Sequence, residues 1–393
     1  MNINFSDRAS NLQPAAVRNK LFDDPEIIAF AAGKPEQEFF PLHELSPLAE
    51  EIIRKEGAKV FQYGPTEGIH ELREIIVTQR MKACGVETTS KNIVLTNGSQ
   101  EAIEFSAKLF LNEGDTVICE RPSYTGLFEA FAPYSPNYVS IPMDENGMIM
   151  EELESALQNN NNVKLIYTIP DSQNPTGITM SDDRRKRLAE LAATYQIPVI
   201  EDTPYADIIY EGNRHPSVKS FDSEGWVVML GSFSKTFCPG LRIGWICAEE
   251  EIVQKYALAK EGSTLQCGTF DQYLTAAYLK KYDFNAHLNE IIELYRVRRD
   301  ATLQCIDEFF PKDIKRTNPI GGFFVWIELK KEIDTFELFV DAATKSKVSF
   351  VPGKFFFADE GYNNYMRLSY SSLQEDKIRE GLRRLGELVY TKY

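Results

Sequence analysis

The residues best suited to chemistry stand together in Gly231-Ser-Phe-Ser-Lys-Thr-Phe-Cys-Pro-Gly-Leu-Arg-Ile-Gly-Trp245. An apolar run from Trp226 to Leu230 reads as a buried strand feeding this stretch, which then presents Ser232, Ser234, Lys235 and, seven residues past the lysine, Arg242. A lysine amine whose surroundings lower its pKa can condense with an aldehyde as a Schiff base. Hydroxyls and a guanidinium at fixed distance from it can hold a phosphate.

A phosphorylated aldehyde meets both requirements, and among cofactors pyridoxal 5′-phosphate (PLP) has that form. A second phosphate-holding stretch is Ile93-Val-Leu-Thr-Asn-Gly98-Ser-Gln-Glu-Ala-Ile103, read as strand, tight turn and helix. Ser99 and Gln100 at the helix start add side-chain donors to free backbone N–H groups. The pattern is neither GxGxxG nor GxxxxGKS, so it calls for neither a dinucleotide nor a nucleoside triphosphate. Val163 to Ile169 reads as a strand running into the turn Asn174-Pro-Thr-Gly177. Ile197 to Ile200 reads as another, ending in Glu201, Asp202 and then Tyr205. A carboxylate at the C-terminal end of a parallel strand stands where α/β folds hold ligands.

Taken in order, from Ala32-Gly33 to Arg367-Leu-Ser, these segments resemble the fold-type I PLP-dependent class I aminotransferases over nearly the whole chain. The closest likeness is to the branch of 2-aminoadipate and kynurenine aminotransferases. The resemblance implies that Lys235 carries the Schiff base and moves the proton between the substrate Cα and the cofactor. It implies that Asp202 keeps the pyridine nitrogen protonated, and that Tyr205 and Asn174 bond to the ring 3-oxygen. Tyr124 would stack on the ring, and Ser99, Gln100, Ser232, Ser234 and Arg242 would hold the cofactor. Tyr63, in Tyr63-Gly-Pro-Thr-Glu-Gly68, would reach the phosphate of a neighbouring subunit, which implies a homodimer with shared active sites. Arg367 would pair with the substrate α-carboxylate, for which a guanidinium has matching bidentate geometry. Gly33 either brings backbone close to the substrate or simply ends a strand. Arg18, in Pro14-Ala-Ala-Val-Arg18, either binds an acidic substrate side chain or is solvated on a helix face. The X-Pro bonds Arg121–Pro122 and Asn174–Pro175 are expected to be cis.

The elements that must position these residues alternate strand and helix between about 90 and 250. That pattern predicts a mainly parallel sheet with helices on both faces. The resemblance makes it an α/β PLP-transferase fold of type I, with a seven-stranded-type sheet and a smaller α+β domain. Leu45 to Glu56, Arg184 to Tyr195, Glu249 to Lys260, Phe270 to Lys281 and Gln374 to Tyr390 read as helices, and residues 284–307 as one long helix into a second domain. Pro319 to Glu328, Val348 to Gly353 and Tyr365 to Ser371 read as later strands. The expected division is an N-terminal arm and part of the small domain over 1–44, a large PLP-binding domain over 45–285, and a small C-terminal domain over 286–393.

The chain has 393 residues, 43% hydrophobic and 26% charged, an ordinary globular balance that suits about two domains. A net charge of −15 disfavours nucleic acid or an anionic membrane as partner. Six scattered cysteines without a CxxC pair, and four histidines without metal-ligand spacing, argue for reduced thiols and against a metal. With no signal-peptide shape at the N-terminus, the expectation is a cytoplasmic enzyme whose partners are small amino and 2-oxo acids. The expected reaction is transamination of an L-α-amino acid with a 2-oxo acid such as 2-oxoglutarate, the donor being 2-aminoadipate or an aromatic or branched-chain amino acid. Two alternatives stay open. One is another PLP reaction, such as β-elimination or decarboxylation. The other is a non-catalytic ligand-sensing domain, which the absence of a basic helix-turn-helix before residue 30 and the acidic charge disfavour.

Overall fold

The computed structural model describes residues 3–12 and 26–393. The stretch Pro14-Ala-Ala-Val-Arg18, and Arg18 with it, lies outside the described residues.

Eight strands form the main sheet: β2 (Ile93–Thr96), β3 (Thr116–Arg121), β4 (Asn137–Asp144), β5 (Gly147–Met148), β6 (Val163–Thr168), β7 (Val199–Asp202), β8 (Val227–Ser232) and β9 (Gly244–Cys247). Before them comes β1 (Ile28–Ala29). The order across the sheet is β2-β9-β8-β7-β6-β3-β4-β5. The central pairs are parallel, whereas β9 runs antiparallel to both β2 and β8. A two-residue hairpin partner, β5, brings the count to eight rather than seven.

Successive residues of a strand point to opposite faces, and here both faces are covered. Along β8, Val228 and Leu230 enter a core with the helices Ser99–Phe110 and Glu250–Glu261. Val227 packs on the other face with helix Asp182–Tyr195, and Met229 there with helix Thr269–Lys281. A strand buried on both sides reads as a continuous apolar run, which is why Trp226 to Leu230 was legible. Strand β4 was not. Its Asn137, Ser140, Pro142 and Asp144 interrupt the pattern, and most of its residues are only half-buried.

A smaller antiparallel sheet, order β10-β11-β14-β13, contains β10 (Lys315–Arg316), β11 (Phe324–Glu328), β13 (Val351–Pro352) and β14 (Tyr365–Ser369). Helices Phe284–Phe309 and Glu375–Tyr390 pack on it through Cys305, Ile306, Leu382 and Leu385. The run from Val348 to Gly353 divides at Phe350 into β12 (Val348–Ser349) and β13. β12 pairs in parallel with β1, fastening the N-terminal segment to this part of the molecule. The strand expected from Pro319 starts only at Phe324, because Gly321 and Gly322 are pressed against Ser172 and the Ile208 carbonyl. Helices that sequence periodicity did not single out include His70–Ile75, Thr125–Phe131, Met150–Asn159 and Thr335–Asp341.

Candidate active site

The C-terminal ends of β7 and β8 open into a cavity of about 900 Å³. Lys235, on the turn after β8, is one wall; its Nζ donates to the Gly33 carbonyl at 2.8 Å. Burial, then the nearby charges of Arg367 and Arg242, push the amine pKa down to about 8, while Asp202 opposes the shift. An amine so placed is a usable nucleophile and proton carrier near neutral pH.

Asp202 ends β7 and is 2% exposed. Its Oδ2 accepts from the Tyr167 hydroxyl at 2.8 Å, and its Oδ1 is buried without a hydrogen-bond partner. Burial raises this carboxyl to about 7, against the Tyr167 bond and the charge of Lys235. A buried carboxylate oxygen left open is costly unless a cationic donor meets it. A protonated ring nitrogen is such a donor.

At the opposite end, Ser99 and Gln100 open the helix Ser99–Phe110, whose first backbone N–H groups lack helical acceptors. Gly98 at the cap has φ +81, and a Cβ there would run into the Arg242 guanidinium. Arg242 itself has φ +54; its Nη2 donates to Asn97 O at 2.8 Å and its Nη1 reaches Ser234 Oγ at 3.5 Å. Ser99, Gln100, Ser234 and Arg242 line the cavity. Ser232 lies at the end of β8, where its Oγ accepts from Ser234 N at 3.0 Å.

Between the two ends stand Tyr124, Asn174, Tyr205 and Arg367. Tyr124 donates to Gln100 Oε1 at 3.2 Å, and burial pushes its hydroxyl up to about 12. Arg367 donates through Nη1 to Asn174 Oδ1 at 2.8 Å and through Nη2 to Ala31 O at 2.5 Å, leaving Nε buried and unpartnered. Its guanidinium stacks on Phe324 at 4.3 Å, and burial lowers its pKa to about 10. Tyr205 packs edge-on against Phe324. A Cβ on Gly33 would stand 2.6 Å from the Phe324 ring, so the close approach of that backbone needs glycine. Both Arg121–Pro122 and Asn174–Pro175 are cis.

Two supporting residues have no mark in the sequence. Tyr167 lies in an ordinary apolar strand, β6, yet it holds Asp202. Glu120, next to last in β3, is buried; it accepts from Thr168 Oγ1 at 2.5 Å, Ile169 N at 3.3 Å and Gln173 Nε2 at 3.0 Å. Gln173 in turn donates to Pro122 O at 2.8 Å and accepts from Thr176 N at 2.9 Å. One carboxylate therefore ties the turn before Tyr124 to the turn that carries Asn174. Tyr63 is 78% exposed and lies outside this cavity. Among the described residues no group of His, Cys, Asp and Glu could hold a metal ion, and no helix is long and apolar enough to cross a membrane.

An orphaned carboxylate oxygen, a lysine of lowered pKa and an anion-binding helix start at the far end match the ring nitrogen, aldehyde and phosphate of PLP. The residues present fit that cofactor. Residues 25–385 match the family model for aminotransferase class I and II. This chain belongs to that family.

It is 39% identical over 391 residues to aromatic-amino-acid aminotransferase 1 of Thermococcus litoralis, covering 98% of this chain and 94% of the relative. It is 36% identical over 390 residues to 2-aminoadipate transaminase of Thermus thermophilus, covering 98% and 96%. A crystal structure of Pyrococcus horikoshii kynurenine aminotransferase, in complex with PMP, superposes with a TM-score of 0.95 at 38% identity, covering 99% and 97%. This aminotransferase is a PLP-dependent enzyme of fold type I, on the branch of the 2-aminoadipate and kynurenine aminotransferases.

Proposed function

We propose that this aminotransferase moves the amino group of an L-α-amino acid to 2-oxoglutarate, with 2-aminoadipate, aromatic and branched-chain amino acids as candidate donors. The observation that carries the reading is Arg367, a buried guanidinium with an unpartnered Nε in the cavity that Lys235 also lines. A carboxylate bound there brings the substrate Cα toward the lysine amine. PLP supplies an aldehyde for capturing amines and a protonated ring that draws electrons from the bonds at Cα.

The protein's own groups do the rest. Arg367 binds the α-carboxylate in bidentate geometry and Asn174 steers that guanidinium. Asp202 would keep the cofactor's ring nitrogen protonated, and Tyr167 orients Asp202. Lys235 takes a proton from Cα as a neutral amine, which its lowered pKa permits. Tyr124 would cover the cofactor ring, Tyr205 and Asn174 would bond its 3-oxygen, and Ser99, Gln100, Ser232, Ser234 and Arg242 would hold its phosphate. The small side chains of Ala29, Ala31 and Ala32 on the cavity wall leave room for a bulky substrate side chain.

Supporting a homodimer, Phe61 and Tyr63 are exposed in one short stretch, with Leu42 and Leu265 also exposed. Aromatic side chains are enriched at subunit interfaces, and Tyr63 would there reach the partner's phosphate end. The six free cysteines favour a reducing compartment, the cytoplasm. A division into 1–44, 45–285 and 286–393 accords with the main sheet lying within 93–247 and the smaller one within 315–369.

The test is a half-reaction screen. The PLP form is mixed with each amino acid singly, the visible absorbance is followed, and products are identified. Conversion to the matching 2-oxo acid, with glutamate formed on adding 2-oxoglutarate, is expected. Release of ammonia or carbon dioxide instead would assign another reaction.

A further inference from the structure

A second cavity, of about 710 Å³, shares a wall with the active site: Pro204 and Tyr205 line the first cavity, Ala206 and Asp207 the second. Its other walls are the π-helical stretch Ile76–Met81 and the junction of helices Thr269–Lys281 and Phe284–Phe309. Short π-helical stretches recur at functional sites, and the size falls within the usual range for small-molecule sites.

The polar half is built on one carboxylate and two guanidiniums. A single oxygen of Asp207 accepts from both Arg80 and Arg214. Arg80 is 4% exposed, and Arg214 Nε is buried with no hydrogen-bond partner. The pair therefore carries one positive charge more than Asp207 cancels, and a buried donor without an acceptor is costly. The acidic groups nearby are engaged elsewhere. Asp283 caps the long helix by accepting from Asn285 N and Ala286 N. Asp171 pairs with Arg185 at 2.8 Å, and Glu201 accepts from the backbone of Val218 and Lys219. Lys82 adds a further cation to the lining. The other half is apolar, with Leu279, Phe284, Leu288 and Ile292, the Phe284 ring lying 5.3 Å from the Arg80 guanidinium.

We infer that this cavity is a regulatory site for a small organic carboxylate with an apolar body. Its carboxylate is taken by Arg214 beside Arg80, and its body lies on Phe284, Leu288 and Ile292. A guanidinium and a carboxylate match in charge and planar geometry. The site bears on turnover because Asp207 follows closely on Asp202 and Tyr205. The same segment is tied to the smaller sheet's approach: Tyr210 N donates to Ile320 O at 2.8 Å, and Ile209 bridges to Gly321, just before Phe324. A ligand that binds one arrangement of this segment better than another shifts the active site with it.

The probe is 3-phenylpropionate, which has the carboxylate and apolar body but no amino or keto group to react. Calorimetric titration of the holoenzyme is expected to find two sites per chain, one at Arg367 and one here. Arg214→Gln should remove the second and keep the first, because Arg214 lines only the second cavity. Leu288→Trp, which fills the apolar half and spares the ion cluster, should do the same. With amino donor and 2-oxoglutarate both saturating, the probe should still lower kcat in the unaltered enzyme and should have no effect in either variant. Should one variant fail to fold, the other decides. A single site per chain with competitive inhibition alone overturns the inference, as does a second site that survives the substitutions.

Discussion

The amine of Lys235 donates to the carbonyl oxygen of Gly33 at 2.8 Å, joining residues 202 positions apart in the sequence. That bond holds the nucleophile at rest on a backbone segment which itself lies against Phe324 and, through it, Arg367. The amine proposed to react and the guanidinium proposed to bind the substrate carboxylate are thus set by one packed layer.

Lys235→Ala should leave a folded protein that binds PLP without the covalent link and loses transamination by about a thousandfold or more, the scale of an essential base. Steady-state rates and the visible spectrum check this; a near-normal rate would overturn the assignment. In the apoprotein, the pH dependence of Lys235 acetylation, read by mass spectrometry, should show a midpoint near 8. Arg367→Gln should move it upward, since that charge is the largest electrostatic contribution after burial.

Asp202 gives a stability signature of opposite sense from an ordinary ion-paired carboxylate. Its folded pKa is raised from 3.8 to about 7 by burial, so the native apoprotein holds a proton that the unfolded chain releases. The group's contribution is therefore present below pH 3.8 and lost as pH rises toward about 7. The Asp202→Asn apoprotein should melt above the unaltered apoprotein at pH 8, and the gap should close near pH 4. In the holoenzyme the same substitution should cut kcat by about a hundredfold or more, as removal of a key charge at a reacting centre does. Equal melting curves at both pH values would contradict the burial argument.

Glu120 distinguishes position from charge. In Glu120→Gln the amide can turn its oxygen to Ile169 N and Gln173 Nε2 and its NH2 to Thr168, so every bond survives without the charge. KM and the visible circular dichroism should stay near normal. Glu120→Ala takes the acceptor from Thr168 Oγ1, Ile169 N and one of the two Gln173 Nε2 bonds, and KM for the amino donor should rise about tenfold. If the glutamine variant is as impaired as the alanine variant, charge rather than positioning is the residue's role.

If Arg18 binds an acidic substrate side chain, Arg18→Ala should raise KM for 2-oxoglutarate and acidic donors about tenfold. Leucine-like and aromatic donors should be nearly unaffected in the half-reaction. Equal effects on both classes would reduce Arg18 to scaffold.

The sequence by itself determined the family and pointed to the residues proposed to carry the chemistry. Those signals are local: a lysine among hydroxyls with an arginine seven residues on, a carboxylate ending an apolar strand, and turns written as Asn174-Pro-Thr-Gly177. Strands buried on both faces were legible for the same reason, because their apolar runs are continuous. Half-buried β4 was not, since its polar residues and Pro142 break the alternation. What only the tertiary structure decided is who supports whom. Nothing local marks Tyr167 as the partner of Asp202, Glu120 as the tie between two turns, or Asp207 as shared by Arg80 and Arg214. Those relationships exist only because parallel strands far apart in sequence end side by side, and burial there forces each polar group to find a partner across the chain.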